Sequence, residues 1–544
     1  MPVTTPESLT IPGILQVKSL NSWSNYSNTI TTGSIPLVCT PLEAPIDPSN
    51  PSGALQHQAN AVNAVLKHCF ANEAPLRTLG SSWSFSTIIQ PKEVILDTPY
   101  LNSMLELGPD SQTTAYKVSR GAQGFVPYWI MGGTEISAIN RRLLDASSSR
   151  PLCLQTSGAG DGHRLAGCIA TGTHGSALQI GAVHDTVLAI HLLVAPDKAV
   201  LIQSRSAPAL TSKFVSWLED LTRMPITLIE DDDLLAAAQV SLGSLGVVFS
   251  VVMETVRAYK LLRHTVSFND RDDPKLWNAI KKLESSAFYP DEETRPYHFE
   301  VLFNPYPVAN RPSAHLTLMW KKPAGNTPAG NPDPVRPALP SDTIGLIKFL
   351  ADEFKGKLDS GLVTSGVGDI INNQMEAMFR NRDGTLLLPG QVFGPTTLPR
   401  GNGASTEIVI NHDDTERTVH TIWKVLQDQA NLGKHLFGAM SLRFVPASKA
   451  HLAMNIHPMN CYIELPSIMT DDVKTIYPTI WNRLEAEGIP YTCHWGQLGG
   501  MNPSRVEKYF KGREVKWKTA RATLLDATGC KVFTAPLLAE VGLE

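Results

Sequence analysis

The chain has 544 residues, a formal net charge of -4, and contents of 42% hydrophobic and 18% charged residues. This composition is typical of a folded globular protein, and the length exceeds what one hydrophobic core organises, so we expect two domains. The small negative charge and the lack of lysine and arginine runs disfavour nucleic acid and anionic membranes as partners.

The amino-terminal residues and the cysteines bear on the compartment. Met1–Thr10 has neither a basic region nor an apolar core, which predicts no signal peptide and a cytoplasmic location. No apolar run reaches the roughly 18 residues that a membrane-spanning helix needs, so no membrane span is expected. The seven cysteines stand singly without a CxxC pair, which favours free thiols in a reducing compartment and predicts no metal site.

The first hundred residues predict a small unit of helix and strands. The proline-rich stretch 41–53 predicts an extended connection, and apolar residues at helical spacing predict a helix over Ala54–Asn72. Leu76–Gly80 predicts a short strand that enters a tight turn over Gly80–Ser84, and Val94–Asp97 predicts another strand. Alternating helix and strand over this length indicates an α/β unit.

A glycine-rich segment, Leu154–Ser176, follows and contains six glycines, several hydroxyls and two histidines. Glycine at this density permits positive φ and lets a ligand approach the main chain without meeting a Cβ atom. Exposed main-chain N–H groups in such loops form concave anion sites. The spacing matches neither a P-loop nor a Rossmann G-x-G-x-x-G motif, so the segment predicts another way of binding a large phosphate-bearing cofactor.

The remaining elements indicate an α+β second half built differently from the first. Pro478 is expected to break or kink the last predicted helix, and the low-complexity stretch 323–340 predicts a surface loop or a disordered insert. The predicted strands are Val187–Val194 and Ala199–Ile202 (a hairpin), Val247–Arg257, Leu316–Trp320, Ser441–Val445 and Cys461–Leu465. The predicted helices are Asp232–Leu242, Asp342–Phe354, Glu416–Gln429 and Asp471–Glu487.

Several of these segments together resemble the ordered signature of FAD-linked oxidases with the vanillyl-alcohol oxidase and p-cresol methylhydroxylase fold. The motifs are Arg77–Ser86, Thr156–Gly158, Gly167–Gly175 and Leu242–Val248, with Cys493–Gln497 near the carboxyl end. The last motif is similar to the aldonolactone and alditol oxidase branch, whereas the length and the insert around 260–400 are similar to bacterial flavin-linked sterol oxidases. The resemblance covers roughly residues 20–260 and 440–510.

The resemblance implies an α+β fold with two domains. One is an FAD-binding domain of two subdomains over residues 1–258, completed by about 500–544. The other is an α+β substrate domain with a large antiparallel sheet over 259–499. The cofactor implied is FAD.

In the family, main-chain amides of the turn after the first strand hold the FAD pyrophosphate, and small residues suit such a cradle. His174 is expected to be a structural part of the cofactor wall rather than a proton carrier. The implied FAD-binding residues are Gly80, Ser81, Ser82, Trp83 and Ser84 in the turn, Thr156, Ser157, Gly158 and Gly167 beside the isoalloxazine and ribityl chain, Thr173, His174 and Gly175 in the same wall, Gly243, Gly246 and Val248 near the adenine, and Ile169 as a further contact.

One departure from the family pattern concerns how FAD is attached. Many relatives carry a histidine where Trp83 stands, and that histidine forms a covalent bond to the flavin 8α carbon. The indole of Trp83 offers only an N–H donor and cannot form this bond. Cys153 lies near the cysteine position of bicovalent relatives but is one residue out of register, so it is predicted to be a buried thiol. Non-covalent FAD is therefore expected.

The resemblance also implies the catalytic residues. The alditol branch presents Glu-x-Arg to the flavin; here Arg443 is retained, to stabilise developing negative charge, and Ser441 replaces the acid. Glu464, costly if unpaired in its apolar strand, could supply that acid by pairing with Arg443. Gln497 replaces a lysine, which leaves His494 as the titratable group near the flavin. The alternatives are a structural ion pair for Arg443 and a hydrogen-bonded wall residue for His494.

The expected function is oxidation of a CH–OH group by hydride transfer to flavin N5, with molecular oxygen as the acceptor. The loss of charge at Ser441 and Gln497 favours a moderately apolar or ring-bearing alcohol over a polyol. The alternatives are a biosynthetic flavoenzyme for oxidative cyclisation or desaturation, a sugar-alcohol or lactone oxidase, and a flavin- or hydrophobic-ligand-binding protein without turnover. The sequence leaves the oligomeric state open.

Overall fold

The computed structural model describes residues 9–43, 53–145, 150–325, 360–379, 383–393 and 403–544. The strands, in chain order, are β1 Leu15–Leu20, β2 Trp23–Ser24, β3 Thr31–Thr32, β4 Ile35–Pro41, β5 Leu76–Leu79, β6 Val94–Asp97, β7 Met104–Glu106, β8 Val126–Met131, β9 Leu152–Leu154, β10 Val187–Ala195, β11 Lys198–Gln203, β12 Ile226–Glu230, β13 Val247–Arg257, β14 Tyr259–Phe268, β15 His298–Phe303, β16 Ala314–Pro323, β17 Thr385–Leu387, β18 Gly403–Asn411, β19 Met440–Pro446, β20 Met459–Ile468 and β21 Thr492–Cys493.

The α-helices lie between these strands and after the last of them. They are α1 Gly53–Asn72, α2 Thr114–Ser119, α3 Ile136–Asp145, α4 Leu165–Thr171, α5 Ser212–Thr222, α6 Asp232–Gln239, α7 Pro274–Lys282, α8 Ser360–Phe379, α9 Pro389–Val392, α10 Thr415–Asn431, α11 Asp471–Ala486, α12 Pro503–Phe510, α13 Arg513–Leu524, α14 Ala527–Val532 and α15 Pro536–Val541. Among the helices that the structure describes, none offers the apolar run that crossing a bilayer requires.

Two sheets organise the first half of the chain. A four-stranded sheet has the order β1-β4-β6-β5, and β6 runs parallel to both of its neighbours. A larger sheet has the order β12-β11-β10-β13-β8-β7, and β9 pairs with the last residues of β13, on the side opposite to β8. In its centre, β10 is buried at nearly every position, as expected for a strand covered on both faces.

The second half of the chain forms an antiparallel sheet with the order β17-β14-β16-β15-β19-β20-β18-β21. Side chains on successive residues of a strand point to opposite faces. One face of β18, β19 and β20 is apolar and joins α10 and α11 in a buried cluster that includes Leu442, Phe444 and Ile463. The opposite face carries the polar residues described below. The α+β class with a large antiparallel sheet is confirmed.

The carboxyl-terminal helices pack against the first half of the chain. Trp517 on α13 donates from Nε1 to the carbonyl oxygen of Val240 at 3.1 Å. Arg521 on the same helix donates from Nε to the carbonyl oxygen of Ser244 at 3.2 Å. Buried residues of α13, α14 and α15 belong to the same hydrophobic cluster as the first two sheets. These helices therefore support the segment that follows α6.

Two predicted helices differ from the structure. The helix from Asp232 ends at Gln239 rather than Leu242, because Val240 leaves the helical conformation with φ -125° and ψ 73°. The break expected at Pro478 is wrong, since α11 continues through it. Buried contacts on both sides of the proline hold this helix; Tyr477, for example, donates from its hydroxyl to the carbonyl oxygen of Leu465 at 2.6 Å.

Other predicted elements agree with the structure to within a few residues. The hairpin of β10 and β11 turns at Asp197, whose φ is 54°, and β13 has the predicted bounds. The predicted helix Asp342–Phe354 and most of the stretch 323–340 lie outside the described residues, as does most of the proline-rich stretch 41–53.

Candidate functional site

A cavity of about 610 Å³ lies between the glycine-rich segment and the polar face of the eight-stranded sheet. Its volume falls within the range of about 300–1,000 Å³ that small-molecule and cofactor sites occupy. The first half of the chain contributes the turn after β5, the segment 159–174 and the segment 242–248. Strands β15, β18, β19 and β20, helix α8 and the segment 494–497 contribute the other side. The cavity therefore joins both halves of the chain.

The turn after β5 is fixed by contacts to distant parts of the chain. Ser81 donates from Oγ to the carbonyl oxygen of Gly162 at 2.5 Å. The carbonyl oxygen of Ser82, whose φ is 57°, accepts from the Tyr26 main-chain N–H at 2.8 Å. Phe85 N–H donates to the carbonyl oxygen of Gly496 at 2.7 Å. All five residues predicted in this turn line the cavity: Gly80, Ser81, Ser82, Trp83 and Ser84.

The motif around Arg77 and the motif around Gly243 are joined directly. Arg77 donates to the carbonyl oxygen of Leu242 at 2.6 Å and to that of Gly243 at 3.2 Å. Burial lowers the pKa of this guanidinium to about 10, so it stays charged at neutral pH. Gly246 has a φ of 126° and packs against the main chain of Leu193, which excludes a side chain. Gly243, Gly246 and Val248 all line the cavity.

The glycine-rich segment supplies both the cavity surface and a layer behind it. Gly167 on α4 lines the cavity, and a Cβ atom there would meet nothing within 4 Å, so a ligand can approach the main chain closely. Thr173 and His174 also line the cavity. Five other predicted residues lie behind this surface: Thr156, Ser157, Gly158, Ile169 and Gly175. Gly175 is needed for packing, since a Cβ atom would lie 2.3 Å from the carbonyl oxygen of Ser157.

The polar face of the sheet follows from the strand register. Leu302, Ser441, Glu464 and Glu407 are cross-strand partners on β15, β19, β20 and β18, so their side chains share one face. All four line the cavity. Side chains two residues apart on a strand point to the same face. Arg443 of β19 and its cross-strand partner Glu300 of β15 therefore lie on this polar face as well.

Arg443 is held between two carboxylates. Its terminal nitrogen Nη2 lies 2.6 Å from Oε1 of Glu407 and 2.6 Å from Oε2 of Glu464. The Arg443 and Glu407 side chains are 7% and 1% exposed, and buried charges of this kind require partners. Burial would raise the pKa of the Glu407 carboxyl, but the charges of His174 and Arg443 hold it below its usual range. Glu407 is therefore ionised.

His174 is buried and contacts two acceptors in this arrangement. Its Nδ1 lies 2.9 Å from the carbonyl oxygen of Gly175, and its Nε2 lies 3.0 Å from Oε2 of Glu407. The ring stacks on Tyr462 with a centroid separation of 3.7 Å, which fixes its orientation.

Both oxygens of the Glu407 carboxylate already have a partner. His174, Glu407 and His494 offer potential metal-ligand atoms that lie within 4.8 Å of one another. Arg443 occupies one oxygen of Glu407 and His174 occupies the other. A metal ion would have to displace a cation that is already bound, so this cluster is an ion-pair network.

His494 is neutral and presents a proton. Burial lowers the pKa of its imidazole to about 4, an effect that the nearby carboxylate of Glu407 only partly offsets. Nδ1 accepts a hydrogen bond from the Gly496 main-chain N–H at 3.0 Å. A neutral imidazole that accepts at Nδ1 carries its proton on Nε2. His494 lines the cavity and is thus a hydrogen-bond donor at neutral pH.

Gln497 and Ser441 add unused polar atoms to the same surface. Gln497 donates from Nε2 to Oε1 of Glu464 at 3.2 Å, a contact that orients the amide because the carboxylate only accepts. Its Oε1 is buried without a partner among the described residues, as is Oγ of Ser441. Buried polar atoms are nearly always hydrogen-bonded, so these two are candidates for hydrogen bonds to a bound molecule.

Trp83, at the position for which the family resemblance implies a linking histidine, lines the cavity. Its indole packs edge-on against His163 at a centroid separation of 4.4 Å. It also packs on Gly162, where a Cβ atom would lie 2.7 Å from the indole. Cys153 is buried outside the cavity, in a cluster with Tyr259 and Tyr297, and burial raises the pKa of its thiol to about 12.

The sequence analysis missed Glu407, which contacts both His174 and Arg443. The signal was present, because Glu407 is the single acid in the apolar strand β18 and an unpaired carboxylate there would be costly. The same argument was applied to Glu464 on β20. Neither the cross-strand register nor the approach of His174 from the first half of the chain can be read from local sequence.

No protein-family model matches the chain. The chain is 26% identical over 194 residues to D-arabinono-1,4-lactone oxidase of Debaryomyces hansenii, a match that covers 35% of this chain and 29% of that protein. It is 27% identical over 217 residues to L-gulonolactone oxidase 3 of Arabidopsis thaliana, covering 38% and 30%. It is 26% identical over 189 residues to L-gulono-1,4-lactone dehydrogenase of Mycobacterium tuberculosis, covering 35% and 34%. The chain thus matches about a third of the length of these curated relatives.

Solved structures extend the similarity to the whole chain. Cholesterol oxidase from B. sterolicum superimposes with a TM-score of 0.68 and 12% sequence identity, covering 99% of both chains. A solvent-stable cholesterol oxidase gives a TM-score of 0.63 and 13% identity, covering 97% of this chain and 98% of the other. The chain has the FAD-binding fold of the p-cresol methylhydroxylase type. The resemblance drawn from the sequence motifs is confirmed.

The residues present fit FAD in this fold. Gly167 leaves space for a ligand against α4, and the turn over Gly80–Ser84 forms one end of a cavity that continues to the polar sheet face. The unpartnered oxygens of Ser441 and Gln497 lie on that face. The cavity thus offers a main-chain surface for a cofactor and a polar surface for a reacting group.

Proposed function

We propose that the protein is an FAD-dependent oxidoreductase that oxidises a CH–OH group of a moderately apolar or ring-bearing alcohol. The observation that carries this proposal is a buried guanidinium, Arg443, which two carboxylates fix on the cavity surface opposite the glycine-rich wall. FAD bound in the cavity would supply the acceptor for two electrons and a proton. The electrostatic setting of that chemistry comes from the chain itself.

The proposed FAD site uses the turn after β5, the segment 167–174 and the segment 243–248. The residues assigned to it are those that line the cavity, namely Gly80, Ser81, Ser82, Trp83, Ser84, Gly167, Thr173, His174, Gly243, Gly246 and Val248. The other five predicted residues are assigned a supporting role, because they pack behind this surface. His174 in this wall is held in place by Gly175 and Glu407.

Arg443, His494 and Gln497 are assigned to the reacting hydroxyl. The unpartnered Oε1 of Gln497 accepts the hydrogen bond of the substrate O–H and so orients it. The Glu464 carboxylate, which lines the cavity beside Arg443 and Gln497, accepts the hydroxyl proton as the hydride leaves the substrate carbon. Nε2–H of His494 and the guanidinium of Arg443 stabilise the negative charge that develops on the substrate oxygen. Glu464 positions this group, since it contacts both Arg443 and Gln497.

The cavity surface favours an apolar alcohol. Leu302, Met375, Met378 and Phe437 line it beside the polar groups. Ser441 and Gln497 are neutral, and Arg443 and Glu407 bind each other, so these residues offer few unpaired charges to the many hydroxyls of a polyol. The cholesterol oxidase fold supports the same substrate class, whereas the names of the curated relatives support a lactone oxidase as the second candidate.

Anaerobic stopped-flow spectroscopy of the FAD-loaded protein tests the proposal. Sterols, aryl alcohols, polyols and aldonolactones would be mixed with it in turn, and the visible absorbance of the flavin followed. Bleaching by an apolar alcohol is expected, and bleaching by an aldonolactone alone would favour the second candidate. Bleaching by none would favour a ligand-binding protein or a biosynthetic flavoenzyme. Rapid recovery of the absorbance on admitting oxygen is expected, with oxygen as the acceptor.

FAD is expected to dissociate when the protein is denatured, because the indole of Trp83 cannot form a histidyl bond to the flavin. Precipitation with trichloroacetic acid followed by centrifugation checks this, and the yellow colour is expected in the supernatant. Colour that stays in the pellet contradicts the prediction. A Trp83→His variant offers the informative comparison, since it restores the histidine of many relatives.

His494→Ala is expected to slow flavin reduction by substrate by about 100-fold, since one donor to the developing oxyanion is lost. FAD should remain bound, which its absorbance after gel filtration measures. The variant is expected to fold, because His494 is neutral and its removal leaves no buried charge without a partner. A reduction rate equal to that of the unchanged protein would remove His494 from the mechanism.

A further inference from the structure

We propose that Gln374 on α8 is a specificity-determining residue that binds a second oxygen atom of the substrate, remote from the reacting hydroxyl. The inference rests on the proposed function and defines the substrate class further. The expected substrate is an alcohol with an apolar body and an additional hydrogen-bond acceptor, such as a carbonyl, ether or hydroxyl oxygen.

The first observation is an unused amide in the cavity. Gln374 lines the cavity, and its Nε2 is buried without a hydrogen-bond partner among the described residues. A buried amide donor without a partner is rare, because water is lost on burial and nothing replaces it. An amide N–H₂ group requires an acceptor. An acceptor on a bound molecule would satisfy it.

The second observation is that α8 is fixed in place by polar contacts on both sides of Gln374. Arg311 contacts Asp369 at 2.9 Å and Glu376 at 2.7 Å. Asn304 donates from Nδ2 to Oδ1 of Asn372 at 2.9 Å and to a main-chain oxygen of the same helix. These contacts hold the two turns of helix that carry Gln374. Its amide is therefore presented by a rigid element rather than by a loop.

The third observation is that apolar side chains line the cavity together with this polar amide. Met375 and Met378 on the same helix line the cavity, together with Leu302 and Phe437. The groups assigned to the reacting hydroxyl belong to other elements, namely β19 and the segment 494–497. A donor on a helix whose other cavity-lining residues are methionines fixes orientation, because only a correctly placed acceptor offsets its desolvation. Gln374 thus selects among apolar alcohols by a second polar group.

The test compares two rigid steroid alcohols in the FAD-loaded protein and in Gln374→Met. Androst-5-en-3β-ol-17-one has a ketone at the end of the molecule remote from its hydroxyl, and androst-5-en-3β-ol lacks that ketone. Methionine keeps the length of glutamine but removes the donor. The ratio of kcat/KM between the two compounds is measured, together with each dissociation constant from the perturbation of the flavin spectrum. Gln429→Met is the matched control, since Gln429 lies on α10 and does not line the cavity.

The unchanged protein and the control are expected to prefer the ketone by about fivefold to tenfold, the effect of one hydrogen bond, mainly through KM. In Gln374→Met the ratio is expected to fall close to one. If both compounds reduce the flavin but the ratio is near one in the unchanged protein, or survives in Gln374→Met, the role of Gln374 is wrong while the proposed function stands. If neither compound perturbs or reduces the flavin, both proposals are contradicted for this class of alcohol.

Discussion

Replacement of Arg443 by methionine is expected to slow the reduction of bound FAD by substrate by about 100-fold to 1,000-fold. The guanidinium is the only cation that the described residues place between Glu407 and Glu464, and we assign to it the stabilisation of the developing oxyanion. The measurement is the rate of flavin bleaching at saturating substrate under anaerobic conditions. Arg443→Lys, which keeps a positive charge but loses the planar fork, is expected to fall between the two proteins.

The Arg443 experiment requires a control for stability, because removal of this residue leaves two carboxylates without their cation. Arg505 provides it: this buried arginine contacts Glu485 at 2.7 Å and does not line the cavity. Arg505→Met should lower the free energy of unfolding without slowing flavin reduction. A folded, FAD-loaded Arg443→Met protein that reduces flavin within about threefold of the normal rate would contradict the role assigned to Arg443, since one lost donor costs far more.

Glu407→Gln is expected to lower the free energy of unfolding at pH 7 by about 3–5 kcal/mol, the cost of breaking a buried charge pair on one side. The variant leaves the Arg443 guanidinium and the His174 ring without the anion that both contact. Urea denaturation measures the loss. Glu464→Gln is the matched control, because the Glu464 side chain is 24% exposed and water can replace part of its contacts. Equal losses in the two variants would contradict the central position of Glu407.

The difference in unfolding free energy between the unchanged protein and Glu407→Gln is expected to depend on pH. The pKa of Glu407 is lower in the folded protein than in the unfolded chain, since the attraction of His174 and Arg443 outweighs burial. Its contribution to stability is therefore complete above the unfolded value of about 4.3 and is lost as the pH falls below it. The difference in unfolding free energy between the unchanged protein and Glu407→Gln should shrink below about pH 4. A difference that stays constant down to pH 3 would contradict this assignment.

The FAD-binding fold could be predicted from the sequence because its motifs are local. Each motif is a short contiguous run rich in glycine and hydroxyl residues, although the contacts to Ser82 and Gly175 come from elsewhere in the chain. The sequence alone did not show which glycines line the cavity and which are needed for packing. Gly167 faces the cavity. Gly158 packs against Thr173 and Gly175 packs against Ser157, so these two glycines hold parts of the glycine-rich segment together.

The residues on the polar side of the cavity could be predicted from the sequence only in part. Arg443, Glu464, His494 and Gln497 were named from their motifs, and the structure brings all four to one surface. Glu407 escaped because its partners are 36 residues and 233 residues away in the chain. Contacts of that separation depend on how strands pair and on how the two halves of the chain meet, and a one-residue change of register would place the carboxylate on the other face.

The support that α13 gives to the segment after α6 has a consequence for biosynthesis. Trp517 and Arg521 contact Val240 and Ser244 across 277 residues. While the nascent chain is still on the ribosome, the part of the FAD wall near Gly243 and Gly246 has no such brace. We therefore expect stable cofactor uptake only after translation has delivered α13, so that loading with FAD is a post-translational event.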